Sequence, residues 1–255
     1  MSTVSESTRT PPRSASDRPL SPTDRSTPRR HRERGRRDRD ELYAVLDECL
    51  VEYRVQLVAV AAATFAVLDE ALICHLGVVS GGAPIVLPTC FGRVDDVLYL
   101  HGSSGAASLR TGVGAPVCVT VTLLDGLVYS RSVFSHSANY RSAVAHGNAR
   151  PVADPAEKLA ALRAIVEHTT PGSWEHARQP TTKELAATGV LALDLGEASL
   201  KVRTGPPGDE DADVATGAAW AGVLPVRTTF GEPAPCPLLP AGAATPSHVT
   251  ERAGA

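Results

Sequence analysis

No uncharged apolar run in this 255-residue chain is long enough to span a bilayer. The longest lies between Arg54 and Asp69, 14 residues, where a spanning helix needs about 20. No apolar run follows the first methionine, so a secretory signal is not expected. The cysteines, Cys49, Cys74, Cys90, Cys118 and Cys236, are odd in number and show no C-x-x-C spacing. That argues against a thiolate metal site and for reduced thiols in a cytoplasm. Also missing are a Walker loop, an H-E-x-x-H pair, a nucleophile elbow and a Ser-His-Asp order, so NTPase and hydrolase readings have no support.

Charge is unevenly spread. Residues 1–40 hold eleven arginines and six acids, about +5, which leaves the remainder near −8 against −3 overall. This basic segment, rich in Ser, Thr, Pro and Arg, has almost no apolar side chain and cannot offset the entropy of ordering. Residues 1–28 are therefore expected to form a disordered extension. The run "RRHRERGRRDRD" (Arg29 to Asp40) has the cations to meet phosphates, but its interleaved acids weaken the field. A solvated extension is expected, and nucleic-acid binding is not.

From Glu41 to Leu76 there is neither glycine nor proline, and the composition tolerates helix throughout. Within it "AVLDE" occurs twice, in the stretches starting at Tyr43 and Phe65. A spacing of 22 residues brings both copies to within about 40° of one helix face. "VQLVAV" (Val55 to Val60) also fits a short strand, and periodicity leaves that choice open.

The pattern then becomes strand-like. "ALICHLGVV" (Ala71 to Val79), "SGG" and "APIVLPTCF" (Ala83 to Phe91) read as a hairpin, and "VLYLH" (Val97 to His101) as the next strand. "PVCVTVTLL" (Pro116 to Leu124) and "LVYSRSVF" (Leu127 to Phe134) flank Asp125-Gly126, a strong hairpin signal. Asn139 to Val152 has the length of a further strand, bent at Gly147. Asp154 as N-cap, Pro155 and Glu157 open a helix with Leu159, Leu162, Ile165 and Val166 on one face. A short helix (Thr182 to Thr188) and two strands (Val190 to Leu195, Ala198 to Thr204) follow. Beyond Gly205 the chain reads as loop with one apolar island, Ala218 to Val226. Six or seven strands joined mostly by turns, with helices outside, predict a closed or split β-barrel of the α+β type. A doubly wound parallel sheet would need helices between strands, and these are missing.

Two clusters can carry chemistry. "LYLHGSSGAASLR" (Leu98 to Arg110) runs from a strand through a small-residue turn into a helix, exposing backbone N–H groups around Ser103, Ser104 and Gly105. Such a junction suits a phosphate, and equally an ordinary turn. "YSRSVFSHSANYRS" (Tyr129 to Ser142) crowds Arg131, His136, Asn139, Tyr140 and Arg141 into one hairpin. It suits a planar anionic ligand, or a hydrogen-bonded corner. His75 and His101 read as core histidines beside apolar neighbours.

The succession "RDRDELYAVLDE", "ALICHLGVVSGGAPIVLPT", "LYLHGSSGA", "CVTVTLLDGLVYSRSVFSHSANYRS", "EKLAALRAIVEH", "PGSW", "EASLKVR" and "WAGVLP" resembles the pyridoxamine 5′-phosphate oxidase-like flavoproteins. Within them it is similar to the flavin-nucleotide-binding or nitroimidazole-resistance-type branch. The resemblance covers residues 29–226, with a flexible tail at 227–255. It implies a mostly antiparallel FMN-binding split barrel with peripheral helices, an FMN-dependent oxidoreductase of unidentified small-molecule substrate, and a homodimer holding flavin between subunits. It places His101, Gly102, Ser103 and Ser104 at the phosphate-side turn and Pro88 and Thr89 beside the isoalloxazine. Arg131, Ser132, Asn139, Tyr140 and Arg141 match the polar hairpin, and Arg203 and Trp220 match late segments that approach the flavin.

Relatives typically place Arg or Lys where this chain has Ala107, so Arg110 is the expected substitute at the phosphate. The Arg-x-Arg-x-Glu-Gly ending of the true oxidase is missing from "WAGVLPVRTTFGEP", and vitamin B6 oxidation itself is not expected. Relatives carry one "VLDEAL", so residues 49–70 resemble a helical insertion. A flavin-binding module without turnover, or a barrel using deazaflavin or haem, remain the alternatives.

Overall fold

The computed structural model describes residues 61–217 and 219–253. The "AVLDE" copy after Tyr43, the "VQLVAV" run, the arginine-rich segment and most of the expected insertion lie outside them. The second copy lies on helix α1 (61–70). Thr64, Val67, Leu68 and Ala71 are buried, the i, i+3, i+4, i+7 stripe of an amphipathic helix. Between them Asp69 bonds Arg93 and Glu70 bonds Arg141.

Strand β1 (Cys74–Ser80) turns into β2 (Ala83–Thr89) through Gly81 and Gly82, at φ 58° and 80°. Positive φ at both turn residues gives the twist that a two-residue hairpin requires. The apolar run expected to continue to Phe91 divides at Cys90. β2 stays with β1, while β3 (Phe91–Val94) joins a second sheet by pairing with β4 (Val97–Ser103). After helix α2 (Ala107–Gly112) comes β5 (Pro116–Tyr129), continuous through Asp125-Gly126.

That Asp-Gly pair is not the expected hairpin turn. It forms a bulge at which the register with β6 (Ser137–Asn148) shifts between Leu124 and Gly126. Both halves of β5 keep the same partner, and a Cβ at Gly126 would stand 2.9 Å from Val223 Cγ1 and 3.2 Å from the Leu224 carbonyl. Glycine is there for close approach, not for reversal. The actual β5–β6 connection is the loop 130–136, which contains one 3₁₀ turn (Val133–Ser135). The run expected as one strand from Asn139 to Val152 breaks after Asn148 rather than at Gly147, and β7 (Arg150–Pro151) crosses to the second sheet.

Helix α3 (Pro155–Thr169) starts as expected, with the Asp154 side chain accepting from the Glu157 N–H at 2.8 Å. Its buried positions are Ala161 and Ile165, with Leu162 partly covered, while Leu159 is exposed. The contact face is thus rotated from the one expected. At Gly92 a Cβ would lie 2.5 Å from the Ala164 and Ile165 backbone, so the helix rests directly on β3. Helices α4 (Ser173–His176) and α5 (Thr182–Ala187) lead to β8 (Thr188–Asp194), β9 (Ala198–Arg203), α6 (Asp211–Thr216) and β10 (Gly222–Pro225). The span beyond Gly205 therefore holds short helices as well as the apolar island, whose centre is β10.

The larger sheet runs β2-β1-β5-β6-β9, with β10 on the far half of β5, and the smaller β3-β4-β8-β7. All pairings are antiparallel. Alternation sets the core: Leu98, Leu100, Leu191 and Leu193 face Leu76, Val119 and Val121 between the sheets, while Tyr99, Val190 and Ala192 face Ala161 and Ile165 on α3. Burial on both faces explains why β8 reads "VLAL" without polar interruption. The outermost strand β2 is mostly exposed and carries Pro84 and Pro88. Arg252, after α7 (Ser247–Thr250), bonds the Thr169 carbonyl and lies 4.2 Å over the Phe230 ring. No helix among the described residues is long and apolar enough to cross a membrane.

Candidate functional site

The turn after β4 is built from residues too small to obstruct it. The Ser104 N–H donates to the Ala187 carbonyl at 2.9 Å and the Ala106 N–H to the Ser103 carbonyl at 2.8 Å. The Gly105 N–H donates to Ser103 Oγ at 3.3 Å. Ser103, Ser104 and Gly105 are exposed. Gly102 and Gly189, paired across β4 and β8, leave room for Leu109: a Cβ on either would come within 2.9 or 3.2 Å of its Cδ1. Leu109 thereby seats α2 on the sheet. Arg110 belongs to α2, whose N-cap Ala106 offers no side-chain cap.

His101 lies on β4 opposite Val190. Its Nδ1 is buried without a partner, and burial pulls its pKa below the ordinary imidazole value, which favours the neutral ring.

The loop between β5 and β6 forms the second cluster. The Ser130 N–H donates to His136 Nδ1 at 3.0 Å and Ser130 Oγ to the Ser135 carbonyl at 2.8 Å. That bond fixes the ring's orientation, with Nδ1 as the acceptor. Ser132 Oγ accepts from the Phe134 N–H at 3.3 Å. Both Arg131 donors that have partners go to Asp209: the backbone N–H at 2.8 Å and Nη1 at 2.7 Å. Arg131 Nε is buried with no partner. Burial pushes the Asp209 carboxyl up, but the bonds from Arg131 outweigh it and hold it below the usual carboxylate value.

Asn139 is buried and joins two late segments. Its Nδ2 donates to the Gly205 carbonyl at 3.0 Å, and its Oδ1 accepts from Arg203 Nη1 at 2.9 Å. Tyr140 pairs with Arg203 across β6 and β9, with Lys201 Nζ 5.8 Å from its ring. Arg141 is fully engaged elsewhere. Its guanidinium donates to Asp125 at 2.8–3.3 Å and to Glu70 at up to 2.8 Å. Those bonds raise its own pKa and lower both carboxyls. Trp220, 69 % exposed, stands 5.7 Å from Tyr129, which in turn stands 5.8 Å from His136.

Pro88 and Thr89 close β2, opposite His75 and Cys74. Thr89 Oγ1 donates to the Cys90 carbonyl and Cys74 Sγ to the Thr89 carbonyl. The fold thus gathers Arg131, Ser132, Asn139, Arg203 and Trp220 at one end of the large sheet. The Ser103 turn belongs to the smaller sheet, and Pro88 and Thr89 lie beside the middle of β5 through β1. Asp209, Asp125 and Glu70 were not expected at these arginines. Asp209 sits in the acidic run "GDEDAD", where no local pattern marks one carboxylate as inward-pointing. A cavity of about 200 Å³ lies apart from both clusters, lined by Pro171, Phe230, Pro233, His248, Val249 and Arg252 among others. Among the described residues no group of three or more His, Cys, Asp or Glu side chains is placed to hold a metal.

Two facing antiparallel sheets, not closed into one ring, with a few peripheral helices, define an α+β split barrel. The chain belongs to the pyridoxamine 5′-phosphate oxidase family, whose model matches residues 61–202. Among solved structures it is similar to the flavocytochrome Anf3 from Azotobacter vinelandii, at 39 % identity and a TM-score of 0.71, covering 76 % of this chain and 90 % of that one. It is likewise similar to an FAD- and haem-binding protein from Mycobacterium smegmatis, at 41 % identity and a TM-score of 0.70, covering 74 % and 92 %. No protein of curated function matches it.

Proposed function

We propose that the chain is a flavin-dependent redox protein of the cytoplasm, acting as a homodimer with flavin between its subunits. The observation that carries this reading is the agreement of the two solved relatives, one named a flavocytochrome and the other FAD- and haem-binding, each aligned over about three quarters of this chain. Polar atoms in both clusters fit such a ligand. His101 Nδ1 and Arg131 Nε are buried and unpaired, and buried polar atoms ordinarily find partners. Ser103 and Ser104 would hold the phosphate end, with Pro88, Thr89 and Trp220 near the ring system.

A bound flavin supplies hydride or single-electron exchange. The chain's part is placement: a neutral His101 imidazole, and a hairpin whose Asn139 is fixed by Arg203 and the Gly205 carbonyl. Dimerisation has support in the outer face of the large sheet, where Leu124, Leu127, Tyr129 and Leu224 are exposed, more apolar surface than scattered single residues. The free thiols of Cys74, Cys90, Cys118 and Cys236 fit a reducing compartment.

FMN is the flavin that the family resemblance implies. The name of the mycobacterial relative gives FAD with haem, and that of the Azotobacter relative, a flavocytochrome, gives no particular flavin. Here the donor set also fits: His75 and His146 are exposed on β1 and β6, and imidazole is an ordinary axial ligand of haem iron. Purified protein should be incubated with riboflavin, FMN, FAD and haemin separately, gel-filtered, and read by absorption and light scattering. A coloured dimer supports the reading, and the retained group names the cofactor. A colourless monomer that retains none refutes it. Bleaching of the bound flavin by NADH or NADPH without oxygen would separate an enzyme from a binding module.

A further inference from the structure

Past β10 the chain returns to the corner between α3 and α4. There Gly172 has φ 81°, and a Cβ on it would stand 2.7 Å from His248 Cβ, so α7 rests directly on the backbone of the corner. The His248 ring lies 5.0 Å from that of His176. Arg252 closes the contact: its Nη1 donates to the Thr169 carbonyl, and its guanidinium lies 4.2 Å over the Phe230 ring. Between tail and corner lies the cavity of about 200 Å³.

Size and lining restrict what this cavity can hold. An engineered cavity of about 150 Å³ takes benzene, whereas drug-sized ligands need about 300–1,000 Å³. One ring with a small substituent fits; a flavin, a nucleotide or a haem does not. The walls are mostly apolar, from Pro171, Phe230, Pro233 and Val249, surfaces on which a ring packs well. Polar groups are fewer. Thr170 Oγ1 is committed to the Val166 carbonyl at 2.9 Å. Arg252 is only partly committed: with Nη1 on Thr169, its Nε and Nη2 meet no acceptor among the described residues. Those two atoms form the edge of a guanidinium whose parallel N–H bonds match a carboxylate.

We propose that the cavity binds a small aromatic carboxylate, its ring against Phe230 and the two prolines and its carboxylate on Nε and Nη2 of Arg252. Bound there, the ligand bridges the tail to the corner, since Pro171 belongs to the corner and Phe230, Pro233 and Arg252 to the tail. The site lies apart from the Ser103 turn and the Arg131 hairpin and stands independently of the flavin reading.

The test uses full-length protein. Benzoate is the probe, benzyl alcohol its neutral counterpart and acetate the carboxylate without a ring, all at constant ionic strength. Binding is followed by ligand-detected NMR titration, and its place by cleavage with a glutamate-specific protease after Glu251, an exposed residue beside Arg252. Wild type should bind benzoate saturably and about tenfold or more tighter than benzyl alcohol, the value of one charge-assisted pair. Benzoate should also slow the cut, and acetate should do neither. Arg252→Met keeps the stem and removes the fork, and should bring benzoate down to the level of benzyl alcohol. Val249→Phe puts a ring of the protein's own into the cavity and should abolish binding of both. Equal affinity for benzoate and benzyl alcohol in wild type would overturn the carboxylate assignment. Benzoate binding that leaves the cut unchanged, survives Val249→Phe or is displaced by FMN or FAD would overturn the site. Should either variant release the tail, seen as faster cutting without ligand, wild type alone decides through the order of the three probes, the protection after Glu251 and the flavin competition.

Discussion

Replacing Gly92 with alanine measures how directly helix α3 rests on the small sheet. The added Cβ would lie 2.5 Å from the carbonyl carbon of Ala164 and from the Ile165 nitrogen, and 2.8 Å from the Ala164 oxygen. Comfortable carbon contacts begin at about 3.5 Å, so the helix has to lift by about 1 Å. A gap of that size forfeits roughly a quarter to a half of each dispersion contact. The loss falls on Ala161 and Ile165 against Tyr99, Val190 and Ala192, and on the 3.0 Å bond from Tyr99 to Glu157. Overpacking of this kind costs about 1–3 kcal/mol. For a domain of this size that lowers Tm by about 2–12 °C. Gly77→Ala is the control. Its new Cβ would meet Cys118 at 3.4 and 3.7 Å, ordinary contact, and alanine is better than glycine inside a strand by about 0.5–1 kcal/mol. Urea unfolding should show Gly92→Ala shifted to a lower midpoint with unchanged slope, and Gly77→Ala level with wild type or above it. A Gly92→Ala protein as stable as wild type would refute the direct contact.

Three further outcomes are expected. Arg141 hydrogen bonds hold Glu70 and Asp125 below their ordinary values of 4.5 and 3.8. Depressed carboxyls stabilise above the unfolded value and cease to do so as pH falls through the folded one. Tm should therefore drop steeply below pH 4.5 in wild type and less so in Arg141→Gln, and equal acid slopes would dismiss the triad as a stabilising unit. Burial pushes the Cys74 thiol up to about 12, so it should resist thiol reagents until the protein unfolds, while exposed Cys118 reacts at once. Mass mapping of labelled peptides checks this. Ala107→Arg should tighten FMN binding about ten- to a hundredfold, the value of one charge-assisted phosphate bond, and leave riboflavin unchanged. A similar gain for riboflavin would place the phosphate elsewhere.

What the sequence revealed was local. The cap at Asp154 and the paired glycines at 81 and 82 follow from forces acting within a few residues. What it hid were choices made by distant partners. Asp125-Gly126 carries the chemistry of a turn, but whether it reverses the chain depends on β6 and β10 pairing across it. Likewise the two apolar runs that change sheets, at Cys90 and Ala149, look uniform because both sheets demand the same side chains. The candidate site divided in the same way. Its cations were legible as a crowded hairpin, whereas the carboxylates that engage them, Asp209, Glu70 and Asp125, arrive from up to 78 residues away.

The two prolines of β2 have one more effect. They occupy positions of equal parity, and since a proline has no N–H to give to β1, their nitrogens belong on the side turned away from it. Of the three positions facing outward there, 84, 86 and 88, only Val86 retains a donor. An approaching strand would find a border it cannot zip onto. Strand addition along that rim is thereby disfavoured, which leaves the opposite edge, β9, and the broad face of the sheet as the surfaces open to a partner.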